Sequence, residues 1–258
     1  SRDAIPLGVC EEQVRAWHRR QQSEEHQETG ALLLETRGLG FSYDGITEAL
    51  VDVSLSIRSG QMISILGSNG AGKSTLASLL MGVLTPDRGA IVMDGVDLAG
   101  FSASQRSSLI GFVMQNPNHM ISCDVVYDEV AFALRQQGYG EEEIRDRVMD
   151  VLGLCALREY HRWPISALSY GQKKRVTIAS ILVTNPRLLI LDEPTAGQDW
   201  RRYTALMEFL ADLNRNLGLT ILFITHDMHL ALQYTHRSVV LDGGRLLCDT
   251  RTSEVFSD

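Results

Sequence analysis

The chain has 258 residues, a formal net charge of −8 and a hydrophobic fraction of 44%. That length suits one α/β domain with room for a smaller inserted subdomain, and the composition is ordinary for a chain that buries a core. The acidic balance disfavours a partner held through nucleic-acid phosphates, and no apolar run approaches the roughly twenty residues of a membrane-crossing helix. Cys10, Cys123, Cys155 and Cys248 stand apart without a C-x-x-C pair, so free thiols in a reducing cytosol are expected rather than zinc ligands or disulfides. The start, Ser1-Arg2-Asp3-Ala4, lacks the charged-then-apolar pattern of a secretory signal.

Residues 1–30 are polar and charge-dense and read as a leader or interdomain linker, with a short helix possible over 11–20. The domain proper spans 31–250, with 251–258 as a tail. Strands are expected over 32–43, 50–57 and 62–66, then a helix ending near Gly82, then strands over 89–95 and 110–115. The segments 125–137 and 141–154 carry apolar residues at helical spacing, so 116–167 reads as a helical insertion. Helices over 172–183, 201–216 and 228–233 then alternate with strands over 188–191, 220–224 and 238–241. That alternation implies a parallel sheet covered by helices.

Between the buried strand at 62–66 and the helix that follows lies Gly67-Ser68-Asn69-Gly70-Ala71-Gly72-Lys73-Ser74-Thr75, which fits G-x-x-x-x-G-K-[ST]. Glycines let backbone N–H groups turn inward around phosphates, and the helix start adds free N–H groups and its positive dipole end. Residues 68–75 therefore form the candidate nucleotide cradle: Ser68, Asn69, Gly70, Ala71 and Gly72 through the backbone, Lys73 on the β- and γ-phosphates, Ser74 on Mg²⁺, and Thr75 beside it. A second signal is Leu188-Leu189-Ile190-Leu191-Asp192-Glu193-Pro194, an apolar strand ending in paired carboxylates at the sheet edge where α/β folds bind ligands. Asp192 would hold Mg²⁺ through water, and Glu193 would act as general base toward the attacking water.

With these residues in view, 31–250 resembles the nucleotide-binding domains of ABC transporters. Leu168-Ser169-Tyr170-Gly171-Gln172 looks like their signature, with Tyr170 in place of the more usual glycine. The resemblance implies a P-loop NTPase core with a mainly parallel sheet, an N-terminal antiparallel β subdomain and the helical insertion. It implies ATP and Mg²⁺ as ligands, and a second ATPase domain whose nucleotide meets Ser169, Tyr170, Gly171 and Gln172 in trans. Gln115 is similar to the Q-loop glutamine, reaching Mg²⁺ and the attacking water, and His226 in Thr225-His226-Asp227 to the histidine that contacts the γ-phosphate. Ala196-Gly197-Gln198-Asp199 resembles the D-loop, with Gln198 where leucine is common and Asp199 facing the other subunit. Tyr43 looks like the aromatic stacked on adenine, with Phe41 as competitor.

Gln115-Asn116-Pro117-Asn118, followed by the helix from Val125, is similar to the ATPases of energy-coupling-factor (ECF) importers of vitamins or of nickel and cobalt ions. The implied setting is the cytoplasmic face of a membrane, with membrane-embedded transporter subunits as partners and no nucleic acid. The second ATPase domain would be an identical copy or a related domain, in one version the upstream half of a tandem polypeptide. The alternatives are the ATPase of an ordinary ABC transporter, or a soluble ABC ATPase of translation or DNA repair. A GTPase would carry N-K-x-D, which is absent.

Overall fold

The structure, a computed structural model, describes residues 30–195 and 200–255. Strands β1 (Leu32–Ser42), β2 (Glu48–Arg58), β4 (Arg88–Met93) and β5 (Val96–Asp97) form an antiparallel sheet in the order β2-β1-β4-β5. The β1–β2 connection is shaped by Asp44, whose Oδ1 accepts from Ser42 Oγ and from the N–H groups of Ile46 and Thr47. Asp94 and Gly95 both take positive φ, 50° and 78°, which suits the tight hairpin joining β4 to β5.

The second sheet has the order β10-β9-β3-β8-β7-β6. Its members are β3 (Met62–Leu66), β6 (Ile110–Val113), β7 (Leu188–Asp192), β8 (Thr220–Thr225), β9 (Arg237–Asp242) and β10 (Arg245–Arg251). All pairings in it are parallel except that of β10 with β9. Both faces are covered, which is why β7 and β8 read as continuous apolar runs. Leu188, Ile190, Leu222 and Ile224 join a core shared with the antiparallel sheet and helix α1 (Lys73–Leu80). Leu189, Leu191, Ile221 and Phe223 face the opposite core, built with α3 (Val126–Gln136), α4 (Glu141–Leu154), α5 (Tyr170–Leu182) and α6 (Trp200–Leu217). Each such side chain contributes about 1.5–3 kcal/mol when removed from water, so apolar residues on both faces hold the sheet between its two layers. A single-turn helix, α2 (Ala103–Arg106), precedes β6, and α7 (Met228–Tyr234) and α8 (Thr252–Val255) complete the described chain.

Some boundaries differ from the sequence expectation. Helix α5 begins at Tyr170 rather than 172, because Ser169 caps it. Strand β6 stops at Val113, since the carbonyls of Met114 and Gln115 turn away to the Lys174 ammonium. The boundary expected at 250 falls inside β10, and Thr252 beyond it is buried. Its hydroxyl meets those of Thr235 and Ser238, and Ser64 on β3 joins the same cluster. The leader over 1–29, the D-loop at 196–199 and the end of the tail lie outside the described residues.

Candidate active site

Parallel register brings the ends of β3, β7 and β8 to one edge: Leu66 pairs with Thr225, and Asp192 with Ile224. The loop from β3 to α1 is possible only with glycine at two places. At Gly67 (φ 159°) a Cβ would lie 2.3 Å from the Leu241 carbonyl oxygen. At Gly72 (φ 100°) it would lie 2.6 Å from Leu50 Cδ2 and 2.8 Å from the Ala49 carbonyl oxygen. Ser68, Asn69 and Gly70 are exposed on the loop, Ala71 and Thr75 are buried, and the Ser74 hydroxyl lies on the exposed side of the first turn. The buried Lys73 ammonium donates to the carbonyls of Gly67 (2.6 Å) and Ser68 (3.0 Å). The ammonium is thereby held within the curl of the loop, where phosphate oxygens can exchange for carbonyls. The Tyr43 ring is 68% exposed with its hydroxyl 3.2 Å from Thr75 Oγ1, whereas Phe41 is buried and meets Tyr43 edge-on. Of the two aromatics, only Tyr43 has a ring open to solvent.

Across the edge, Glu193 has φ 42°, the left-handed region that costs a non-glycine residue free energy. Its N–H donates to the Ile224 carbonyl at 2.8 Å, which holds the residue there. Glu193 Oε2 accepts from Thr225 Oγ1 at 3.0 Å. Oε1 accepts from the His226 N–H at 3.2 Å and stands 2.6 Å from His226 Nδ1. A carboxylate only accepts, so Nδ1 carries the proton and Nε2 is left for another partner. The His226 side chain is 68% exposed while that of Glu193 is 16% exposed. A histidine open to solvent therefore covers a largely buried carboxylate.

Burial, and then the negative charge of Glu193, push the Asp192 carboxyl above its ordinary range; Lys73 and Lys174 oppose this. A partly buried carboxylate at the end of β7, within reach of the Lys73 charge, has the oxygen chemistry that suits a hard divalent cation. Among the described residues no group of three or more His, Cys, Asp or Glu side chains forms a metal cage.

The stretch at 168–172 starts α5. Ser169 Oγ accepts from the Gln172 N–H at 3.3 Å, and Gln172 Oε1 accepts from the Ser169 N–H at 2.9 Å, a capping box. The Gln172 amide oxygen is thus turned onto its own helix. A Cβ on Gly171 would meet nothing within 4 Å. Tyr170 Oη donates to the Gln115 carbonyl at 3.2 Å, and the Gln115 residue itself is exposed. Sequence reasoning missed Thr225 and Lys174. Thr225 immediately precedes His226, so its place at the edge was available as a signal; Lys174 carried none.

A glycine-bounded loop between a parallel strand and a helix, two partly buried acids at the same sheet edge, and a helical layer inserted between them in sequence have the form of a P-loop ATPase of the cassette type. The ABC transporter family matches residues 50–196, and the chain belongs to it as an ABC ATPase domain. The comparisons agree in both sequence and structure. A Vibrio vulnificus protein, provisionally named an ABC transporter ATP-binding protein, is 50% identical over 98% of this chain. The chain spans 44% of the length of that relative. The structure of cbiO1 from Clostridium perfringens, part of the ABC transporter complex cbiONQ, superposes with a TM-score of 0.83 at 35% identity, covering 90% of this chain and 92% of that one. The ATP-binding cassette MJ0796, solved as a post-hydrolysis dimer with ADP and phosphate, gives 0.73 at 27% identity, over 85% and 99% of the two chains. The relatives' extra length is not identified with any domain, so the comparisons do not support the tandem arrangement.

Proposed function

We propose that this domain is the ATP-hydrolysing motor of a membrane importer of the ECF type, acting on the cytoplasmic face with membrane-embedded subunits and a second ATPase domain. The open space over Gly171 is the observation that carries the two-domain part. A Cβ there would meet nothing within 4 Å in the described chain, and that space at the start of α5 supports the approach of a second domain. A helix start capped by Ser169 offers N–H groups to an anion, and the γ-phosphate on the partner domain is that anion. The importer part is supported by the likeness to cbiO1, a component of a transporter complex, over nine-tenths of the chain.

In this reading residues 68–75 hold the ATP phosphates and Tyr43 stacks on the adenine. Ser74, Asp192 and Gln115 would hold Mg²⁺. When bound, that ion supplies positive charge to the β- and γ-phosphate oxygens. Glu193 takes the proton from the attacking water, and Thr225 and His226 fix its two oxygens beforehand. The free Nε2 of His226 faces the γ-phosphate. Neither surface is complete alone, so nucleotide binding closes the pair and hydrolysis opens it.

Glu193→Gln tests the chemistry. It retains the shape and one acceptor but cannot take a proton. The expected result is ATP binding within about twofold of the wild type and turnover reduced by about 100-fold or more, the size of a lost general base. An unchanged steady-state rate removes Glu193 from that role. Purification of the full-length protein from membranes tests the setting: a coupling membrane protein and a separate substrate-binding membrane protein should come with it. Recovery of ribosomes or DNA instead would refute the importer assignment.

A further inference from the structure

Lys174 is one of the largest side chains buried in the molecule, with 1% of it exposed. A buried ammonium is costly unless its protons are bonded, and even a bonded one is often no more stabilising than an apolar side chain of similar size. The described carboxylate that acts on it is Asp192, through charge rather than a hydrogen bond. Its hydrogen bonds instead go to main chain just past β6: to the Met114 carbonyl at 2.9 Å and the Gln115 carbonyl at 2.6 Å. The Gln115 carbonyl also accepts from Tyr170 Oη at 3.2 Å. Positions 170 and 174 are one helical turn apart on the same face of α5. Two unlike donors from successive turns of one helix thus converge on one carbonyl oxygen. The helix that carries them starts at Ser169.

We propose that Tyr170 and Lys174 are positioning residues, a two-point clamp on the Gln115 carbonyl that holds the Gln115 side chain in register with the nucleotide and ties that register to the Ser169 end of α5. The inference rests on the roles given above to Gln115 and Ser169. The residues after Val113 have left β6, and besides the clamp they are tied by the Met114 N–H to Met120 Sδ at 3.2 Å and by Asn118 Oδ1 to Lys173 at 3.4 Å, neither of which touches Gln115 itself. Through the clamp, a shift of Gln115 toward bound nucleotide moves the start of α5 by the same rigid connection.

The test uses the full-length protein with its partner subunits. Lys174→Met keeps bulk and removes the donors. Lys174→Gln restores an N–H donor without charge. Tyr170→Phe deletes one hydroxyl at a partly exposed position and leaves the core intact. The expected result for Lys174→Met is a fall in kcat of about tenfold, the size of one charge-assisted hydrogen bond. KM and the affinity for a fluorescent ATP analogue should stay within about twofold. Lys174→Gln should recover part of the loss, and Tyr170→Phe should lower kcat by about threefold. The double variant Tyr170→Phe/Lys174→Met should be no slower than Lys174→Met alone, because both side chains act on one oxygen. Unchanged kcat in both Lys174→Met and Tyr170→Phe overturns the clamp. So does an equal fall in kcat in Leu182→Ala, a buried change at the far end of the same helix, when matched in Tm loss. If Lys174→Met does not fold, Tyr170→Phe alone decides. Glu193→Gln, run in parallel, separates the two levels: if it hydrolyses normally the functional reading itself fails, and if it is dead while the clamp variants are unaffected only the clamp fails.

Discussion

At single residues, burial sets chemistry as strongly as residue type does. Cys155 ends α4 fully buried, and burial pushes its thiol up to about 12, with Arg175 opposing. Cys123 and Cys248 are only partly covered. Alkylation by iodoacetamide at pH 8 should therefore modify Cys248 and spare Cys155 until denaturant is added, since only the thiolate reacts. The same shift has a consequence for stability. Above the ordinary value of 9.0 the unfolded thiol loses its proton while the folded one keeps it, so the unfolded state binds fewer protons and stability falls as pH rises from 9 toward 12. Urea titrations at pH 8 and pH 10.5 should show a smaller alkaline loss in Cys155→Ala than in the wild type. An equal loss in both would mean that the thiol is not shielded as the structure has it.

At the level of elements, α5 carries conflicting demands that separate stability from activity. Glycine in the first turn of a helix weakens it relative to alanine by roughly 0.5–1 kcal/mol, and Gly171 has room for a Cβ. Gly171→Ala should thus leave thermal stability unchanged or slightly raised while hydrolysis in the assembled complex falls severalfold. A parallel measurement of Tm and ATPase rate decides; activity kept at the wild-type rate would mean that no partner approaches there. The same helix shows what a sequence can reveal. Ser169 and Gln172, three residues apart, announce a cap in any chain, and Gly67 to Thr75 announce a phosphate loop because backbone geometry demands those residue types. The β7 and β8 runs were legible for a similar reason: double-sided burial leaves an unbroken apolar string. Lys174 was not legible, because its neighbours Lys173 and Arg175 make it look like part of a solvated face. The buried hydroxyl cluster of Ser64, Thr235, Ser238 and Thr252 was hidden likewise. Polar letters at core positions satisfy one another only after distant segments meet, so the attachment of β10 and α8 beyond residue 250 carried no local sign.

For the whole molecule, the arrangement of two half-sites on one domain dictates how damage should distribute. Residues 68–75 are proposed to act on nucleotide bound to their own domain, and Ser169 on nucleotide bound to the other. Ser169→Arg places a long cation at the exposed start of α5, far in sequence from the loop that binds ATP, and removes a cap that contributes about 1 kcal/mol. Fluorescent ATP titration of the variant should give an affinity within about twofold of the wild type. Hydrolysis in the assembled complex should nevertheless fall by at least tenfold, because the arginine blocks closure over the partner's phosphate. The dissociation of binding from turnover is the diagnostic. A purely local defect would lower stability and binding together, and a surface with no partner would lower neither. Wild-type hydrolysis in Ser169→Arg, with binding intact, would leave a nucleotide-binding domain whose α5 end faces nothing, and the coupling of closure to transport would have to arise elsewhere on the molecule.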